Sequence, residues 1–188
     1  INMEPSSFNF SYKNPPNVNG KSRSYREGDI EYTKLEILGR GYRRVCWKAL
    51  FGNEAKAVLK EVFRVEQMRE IRHYLLVMET LKGHPAIAHT ETAFWTVHRK
   101  DAGRYKFYQI QTAYENNLVI GINSGLFHNQ PHLVQLAFEQ LADGLSFIHS
   151  KGVIVNDLKL DNIYYSRDPL RLVYGDFDGA DLKSQKSS

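Results

Sequence analysis

The hydrophobic period of this chain changes half-way along, and that change restricts the fold more than any other feature. From Tyr32 to about Ile110 the apolar residues fall in short runs bounded by turn formers. Leu35-Glu36-Ile37-Leu38 and Val45-Cys46-Trp47-Lys48-Ala49 flank a turn that contains glycine, the pattern of a hairpin. Ala57-Val58-Leu59 reads as a third strand. Phe94–His98 and Tyr105–Thr112 read as two more, joined by the turn Lys100-Asp101-Ala102-Gly103. One helix interrupts them: Arg64 to Leu81 carries Met68, Ile71, Leu75, Met78 and Leu81 at helical spacing and closes on Lys82-Gly83. After Asn117 the spacing turns helical. Leu133 to His149 lines up Val134, Ala137, Phe138, Leu141, Leu145 and Ile148 on one stripe, and Lys151-Gly152 ends it. Short strands follow at Val153-Ile154-Val155, Ile163-Tyr164-Tyr165 and Leu172-Val173-Tyr174, with a turn at Asp168-Pro169. This order predicts an α+β chain with a sheet-rich first half.

Composition narrows the class. A chain of 188 residues, 42% hydrophobic and 24% charged, buries a core without staples. Its one cysteine, Cys46, excludes an intramolecular disulfide and a cysteine-built zinc site. That suits a reducing compartment, so a cytoplasmic location is expected. No apolar run approaches the ~20 residues that span a bilayer, and the first residues lack a secretory signal pattern. The net charge of +4 is scattered, which implies mild attraction to anions rather than a nucleic-acid footprint. The expected partner is therefore neither nucleic acid nor membrane. Residues 1–28, rich in Asn, Ser, Pro and Gly, read as an N-terminal arm, and Ser184–Ser188 as a polar end.

Four stretches carry possible chemistry, each with an ordinary reading beside it. Leu38-Gly39-Arg40-Gly41 at a hairpin tip would let backbone N–H groups approach phosphate, although such a pair of glycines is usually a tight turn. Lys60 closes the strand Ala57-Val58-Leu59; a lysine there is usually a snorkelling surface charge. Asn156-Asp157-Leu158-Lys159-Leu160-Asp161-Asn162 is the strongest, because it sets a carboxylate, an ammonium and an amide in one loop after an amphipathic helix. Asp157 can accept a proton or orient a hydroxyl, Lys159 can neutralise a transferring phosphoryl group, and Asn162 can ligate a hard cation. The ordinary reading is a polar turn. Asp176, just past the strand Leu172-Val173-Tyr174, is placed to hold a divalent cation, although Asp178-Gly179 is also a common turn pair.

Taken in order, these stretches resemble the signature set of the protein kinases, over roughly Tyr32 to Leu182. Gly83-His84-Pro85-Ala86-Ile87 resembles the turn after the regulatory helix. Leu141 to Ile154 is close to the helix that precedes the catalytic loop, and Asp176-Phe177-Asp178 stands in for Asp-Phe-Gly. The resemblance implies a bilobal kinase-like fold: a β-rich N-lobe with one regulatory helix over residues 29–114, and a reduced helical C-lobe over 115–188. It implies ATP with Mg²⁺ or Mn²⁺ as cofactors and a protein as substrate. Gly39, Arg40 and Gly41 would cover the ATP phosphates, and Lys60 would touch the α- and β-phosphates. Asp157 would be the catalytic base or hydroxyl positioner, and Lys159 would stabilise the γ-phosphoryl group. Asn162 and Asp176 would hold the metal. Gln111, Thr112 and Tyr114 would belong to the hinge that bonds adenine, with Val58 and Cys46 lining its upper face. Glu70 would pair with Lys60, with Glu79 as the runner-up.

The departures from the family pattern matter equally. Arg43 and Arg44 sit at the loop tip where an aromatic residue and a third glycine are usual; arginine there reaches phosphate, or stiffens or opens the loop. Val155-Asn156 replaces the His-Arg pair, which removes the usual receiver for a phosphorylated activation loop. Little sequence follows Asp176, so the expectation is either a fragment or a minimal kinase similar to truncated bacterial type III effector kinases. The latter would be monomeric and secreted into a host cytosol to act on a host protein. Two alternatives to an active Ser/Thr kinase stay open: a pseudokinase acting as a binding module, and a small-molecule phosphotransferase, against which Lys159 argues.

Overall fold

The computed structural model describes residues 24–27, 30–40, 44–97 and 103–183. Gly41, Arg43, most of the turn expected at 100–103, the polar end at 184–188 and all of the N-terminal arm except Ser24–Glu27 lie outside them. In chain order the elements are β1 (Ser24–Glu27), β2 (Ile30–Arg40), β3 (Arg44–Phe51), β4 (Glu54–Arg64), α1 (Met68–Leu81), β5 (Thr90–Val97) and β6 (Arg104–Thr112). There follow β7 (Asn116–Asn117), α2 (Leu118–Asn123), α3 (Pro131–Ser150), β8 (Val153–Ile154), β9 (Ile163–Ser166), β10 (Arg171–Tyr174) and β11 (Asp181–Leu182). This is the α+β kinase-like architecture, with a β-rich N-terminal half. Two compact units divide it: residues 1–68 with 90–113, and residues 69–89 with 114–188. Most of α1 therefore clusters with the C-terminal unit.

The N-terminal unit is one antiparallel sheet in the order β1-β2-β3-β4-β6-β5. Strand β4 runs on to Arg64, and a single 3-10 turn separates it from α1, so the helix starts at Met68 rather than at Arg64. The reason is local: Val62, Phe63 and Arg64 pair in register with Lys106, Tyr105 and Arg104, and the sheet claims them first. Cross-strand pairs share a face, and here Trp47 sits opposite Val58 and Val58 opposite Ile110. With Tyr32, Ala49, Phe51 and Tyr108 they form one buried cluster. Rings of Tyr32 and Phe51 stack at 5.4 Å, and those of Phe94 and Tyr108 at 5.0 Å. Full burial of each large side chain contributes roughly 1.5–3 kcal/mol.

The C-terminal unit is built around α3. Its Gly144 lets the helix approach so closely that an added Cβ would lie 2.7 Å from the Ala86 Cβ and 2.9 Å from the Tyr174 ring. Tyr174 Oη donates to the Leu141 carbonyl at 2.8 Å. Gln140 reaches the outer edge of β10 with both ends of its amide: the Leu172 N–H donates to Oε1 at 2.8 Å, and Nε2 donates to the Leu170 carbonyl at 3.0 Å. Strand β10 lies in a small sheet ordered β10-β9-β7, and β11 pairs with β8 in another. His84 stacks on Phe147 of α3 at 4.3 Å, and its Nε2 faces Asp143 at 3.3 Å.

The stripe expected on α3 is only partly buried. Ala137, Gly144 and Ile148 are inside, whereas Val134 is exposed and Phe138 is 71% exposed. The N-terminal half of the helix carries apolar side chains that no described element covers.

Candidate active site

The candidate constellation of the C-terminal unit is assembled by the loop between β8 and β9. Lys159 Nζ donates to Asp157 Oδ2 at 2.6 Å. Asn162, almost fully buried, donates from Nδ2 to the Asp157 carbonyl at 3.0 Å and to Asp157 Oδ2 at 3.3 Å. One carboxylate oxygen thus takes two side-chain donors, and the loop is closed on itself. A 3-10 turn over Leu160–Asn162 does the folding, with the Asn162 N–H donating to the Lys159 carbonyl at 3.0 Å. The residue before Asp176 completes the frame: the Gly175 N–H donates to the Asn162 carbonyl at 2.8 Å. Only glycine fits there, because a Cβ would collide with the Tyr164 ring.

Electrostatics follow from this frame. The Lys159 ammonium, through its hydrogen bond, holds the Asp157 carboxyl below the usual carboxylate range, and Asn162 adds to the effect. Lys159 is raised in turn, first by its bond to Asp157 and further by the charges of Asp161 and Asp176. Asp176 is exposed, whereas the Phe177 that follows is 2% exposed and anchors the turn.

The site has oxygen donors of the right kind for a hard cation. Asn162 spends Nδ2 on Asp157, which leaves Oδ1 as the amide's ligating atom, and Asp176 supplies a carboxylate. Among the described residues no group of three or more His, Cys, Asp or Glu could hold a metal ion. Mg²⁺ commonly takes one or two protein oxygens and completes its shell with water and substrate phosphate, so this small donor set fits it.

The N-terminal unit presents Lys60 from β4. In register, Val45 lies opposite Lys60, and both line a cavity of about 230 Å³ with Lys34, Arg40, Leu35 and Ile37. Glu36 and Trp47 complete the lining, so three cations share the hollow with one carboxylate, one indole and three aliphatic side chains. Gly39 pairs with Cys46 and has open space where a side chain would be.

Two expected members of the adenine surface lie outside this hollow. Cys46 pairs with Leu59, so strand alternation turns it to the face opposite Val45 and Lys60. Burial pushes its thiol up to about 11. Val58 shares the Lys60 face but is 1% exposed beside its cross-strand partner Trp47, and neither Cys46 nor Val58 lines the cavity. Val45 is the apolar residue beside Lys60, a choice that the β3–β4 register makes and residue spacing alone did not reveal. Arg44 is not at the loop tip. It begins β3 and donates from Nε to Glu61 Oε2 at 2.7 Å, where Glu61 is 5% exposed.

The expected hinge begins at the end of β6. Gln111 donates to Thr90 Oγ1 at 3.3 Å and to Gln109 Oε1 at 2.9 Å, and Thr112 pairs with Lys56. In the C-terminal unit, Tyr114 accepts from the His89 N–H at 3.2 Å and stacks on Tyr164. Glu70 is exposed in the first turn of α1, and Glu79 faces Lys82 at 3.8 Å.

The protein kinase domain model matches residues 32–188. The chain belongs to the protein kinase domain family. Over 77 residues it is 36% identical to the eIF-2-alpha kinase GCN2 of Mus musculus, a match covering 41% of this chain and 5% of that protein. The human GCN2 is 35% identical over the same length. A longer match, 25% identical over 155 residues, covers 78% of this chain and 19% of the serine/threonine-protein kinase PLK4 of Drosophila grimshawi. The kinase domain thus spans a small part of each of these relatives. No described helix is long and apolar enough to cross a membrane.

Proposed function

We propose that this kinase domain is an ATP- and Mg²⁺-dependent enzyme that transfers the γ-phosphate to a Ser or Thr hydroxyl of a protein. The observation that carries the reading is the Asp157–Lys159–Asn162 cluster, in which two side-chain donors meet on one carboxylate oxygen. A carboxyl held below its usual range is a weak base, so Asp157 acts mainly by accepting the acceptor's O–H and aiming its oxygen. It receives the proton as the new P–O bond forms and the bond between the γ-phosphorus and the bridging oxygen breaks, with ADP leaving. Lys159, within hydrogen-bond reach of that carboxylate, neutralises charge on the phosphoryl group in flight. Asn162 Oδ1 and the Asp176 carboxylate would hold the metal, which when bound neutralises the phosphates.

In the N-terminal unit, Lys60 and Arg40 are the cations for phosphate, with Gly39 and Gly41 giving backbone access. Val45, Leu35 and Ile37 offer an apolar surface to the base, and the backbone of Gln111, Thr112 and Tyr114 bonds its edge. Glu70 is proposed as the partner of Lys60, with residues 29–114 and 115–188 as the two lobes. The hydroxyl class is supported by the relatives' own names, one of them a serine/threonine kinase. Asn156 in place of arginine also fits the expected likeness to injected bacterial effectors, and the relatives reported above are animal proteins, so a eukaryotic lysate is the place to seek the acceptor.

Labelled γ-phosphate from Mg·ATP, incubated with such a lysate, tests the reading against Asp157→Asn and Lys60→Met. A discrete labelled protein that both variants lose supports it. No labelling, with no ATP binding by thermal shift, overturns it in favour of a kinase-shaped binding module.

A further inference from the structure

The turn that follows Asp176 is bonded from several directions within the C-terminal unit. The Ala180 N–H donates to the Phe177 carbonyl at 3.1 Å, and the Lys183 N–H donates to the Gly152 carbonyl at 2.8 Å. Between these, β11 pairs with β8, Asp181 opposite Ile154 and Leu182 opposite Val153. Two side chains then reach in from outside the turn. Asn156 Nδ2 donates to the Gly179 carbonyl at 2.7 Å and to Asp181 Oδ2 at 2.9 Å, which uses both of its amide hydrogens. His73 Nε2, from α1, meets the Ala180 carbonyl at 2.8 Å. A carbonyl only accepts, so this nitrogen carries the hydrogen.

The turn needs such support. Asp176 has a φ of 51° and Gly179 one of 74°, both in the left-handed region. An aspartate persists there when its surroundings fix it. Asn156 directly precedes Asp157, so one residue's backbone joins the base to the group that grips the turn.

We infer that Asn156 and His73 are positioning residues that clamp the turn after Asp176 and so hold its carboxylate where Asn162 can share a cation with it. The clamp uses only unmodified groups of the chain, bonding the segment directly instead of through a phosphate. What the carboxylate binds rests on the kinase reading; the clamp itself does not.

Amide hydrogen exchange on the whole, nucleotide-free chain reads the clamp. Asn156→Asp removes both donations at nearly constant size. Exchange of the amides in 179–183 should then rise about tenfold or more, with α3 unchanged. His73→Phe should raise exchange in the same segment, by less. Adding Asp181→Asn to Asn156→Asp returns a donor across the same gap and should recover part of the protection, a rescue that a general packing role does not give. For the metal, the Mg²⁺ concentration giving half-maximal phosphate transfer should rise several-fold in Asn156→Asp while KM for the protein acceptor holds. Exchange equal to wild type, faster exchange throughout the C-terminal unit, or no recovery in the double variant overturns the clamp. Altered exchange with an unchanged Mg²⁺ requirement overturns its link to Asp176. A wild type that transfers no phosphate sinks the kinase reading, and the exchange result still decides the clamp.

Discussion

Lys60 and Asp157 reach their places by different physics. Lys60 stands on a strand, and its direction follows from alternation and from the register that sets it opposite Val45. Asp157 stands in a loop, where nothing repeats, and its direction is fixed by donors that converge on it from Lys159 and Asn162. A strand residue can lose a neighbour and keep its aim. A loop residue held by two or three side-chain bonds loses its aim with the first of them. The regular region is therefore tolerant and the irregular one brittle, although the proposed function uses both.

The largest effect should come from the brittle side. Asp157→Asn keeps the shape but cannot take the proton, and kcat should fall roughly 10²–10⁴-fold in a phosphate-transfer assay with little change in melting temperature. Comparable inactivity with strong destabilisation would mean that the carboxylate is mainly structural. On the tolerant side, Glu61→Ala strips the partner from Arg44 and should cost about 1–3 kcal/mol in denaturant unfolding, leaving the Lys60 strand in register. A steeper loss of ATP binding than of stability would show that this pair aims Lys60 as well.

A subtler probe is pH. Lys159 holds the Asp157 carboxyl low, so the ionised form persists as pH falls and is lost only below the usual carboxylate range. Lys159→Met should let that pKa rise, moving the acid limb of the kcat profile to higher pH; an unmoved limb would assign it to another group. The smallest effect belongs to α3. Phe138→Ser, at a side chain 71% exposed, should change stability by about 0.5 kcal/mol or less. A larger loss would mean that the ring is covered in solution.

Legibility in the sequence follows the same division. The strands around Val45–Ala49 and Ala57–Leu59, the helix ending at Leu81 and the long helix after Leu133 were all readable from period, because burial of one face enforces it. The faces themselves were not. Cys46 and Val58 read as neighbours on one surface, but the register sets Cys46 opposite Leu59 on one face and Val58 opposite Trp47 on the other. Arg44 looked like a loop-tip cation, and the near-buried Glu61 across the strand pair, invisible to local spacing, takes it instead. The loop Asp157–Asn162 was legible only as a motif. That Asn156 grips the far side of the Asp176 turn depends on a chain reversal more than 20 residues later, for which no local signal exists.

Gln140 has a consequence beyond packing. Strand β10 lies at the margin of its small sheet, where unpaired backbone groups would invite a strand from another molecule; there the Tyr174 N–H donates to the Ala86 carbonyl and the Ala88 N–H to the Tyr174 carbonyl. By offering an acceptor to Leu172 and a donor to Leu170, the Gln140 amide counterfeits one rung of a neighbouring strand. A helix side chain and the segment around Ile87 thus divide that margin between them and leave it little to offer another strand.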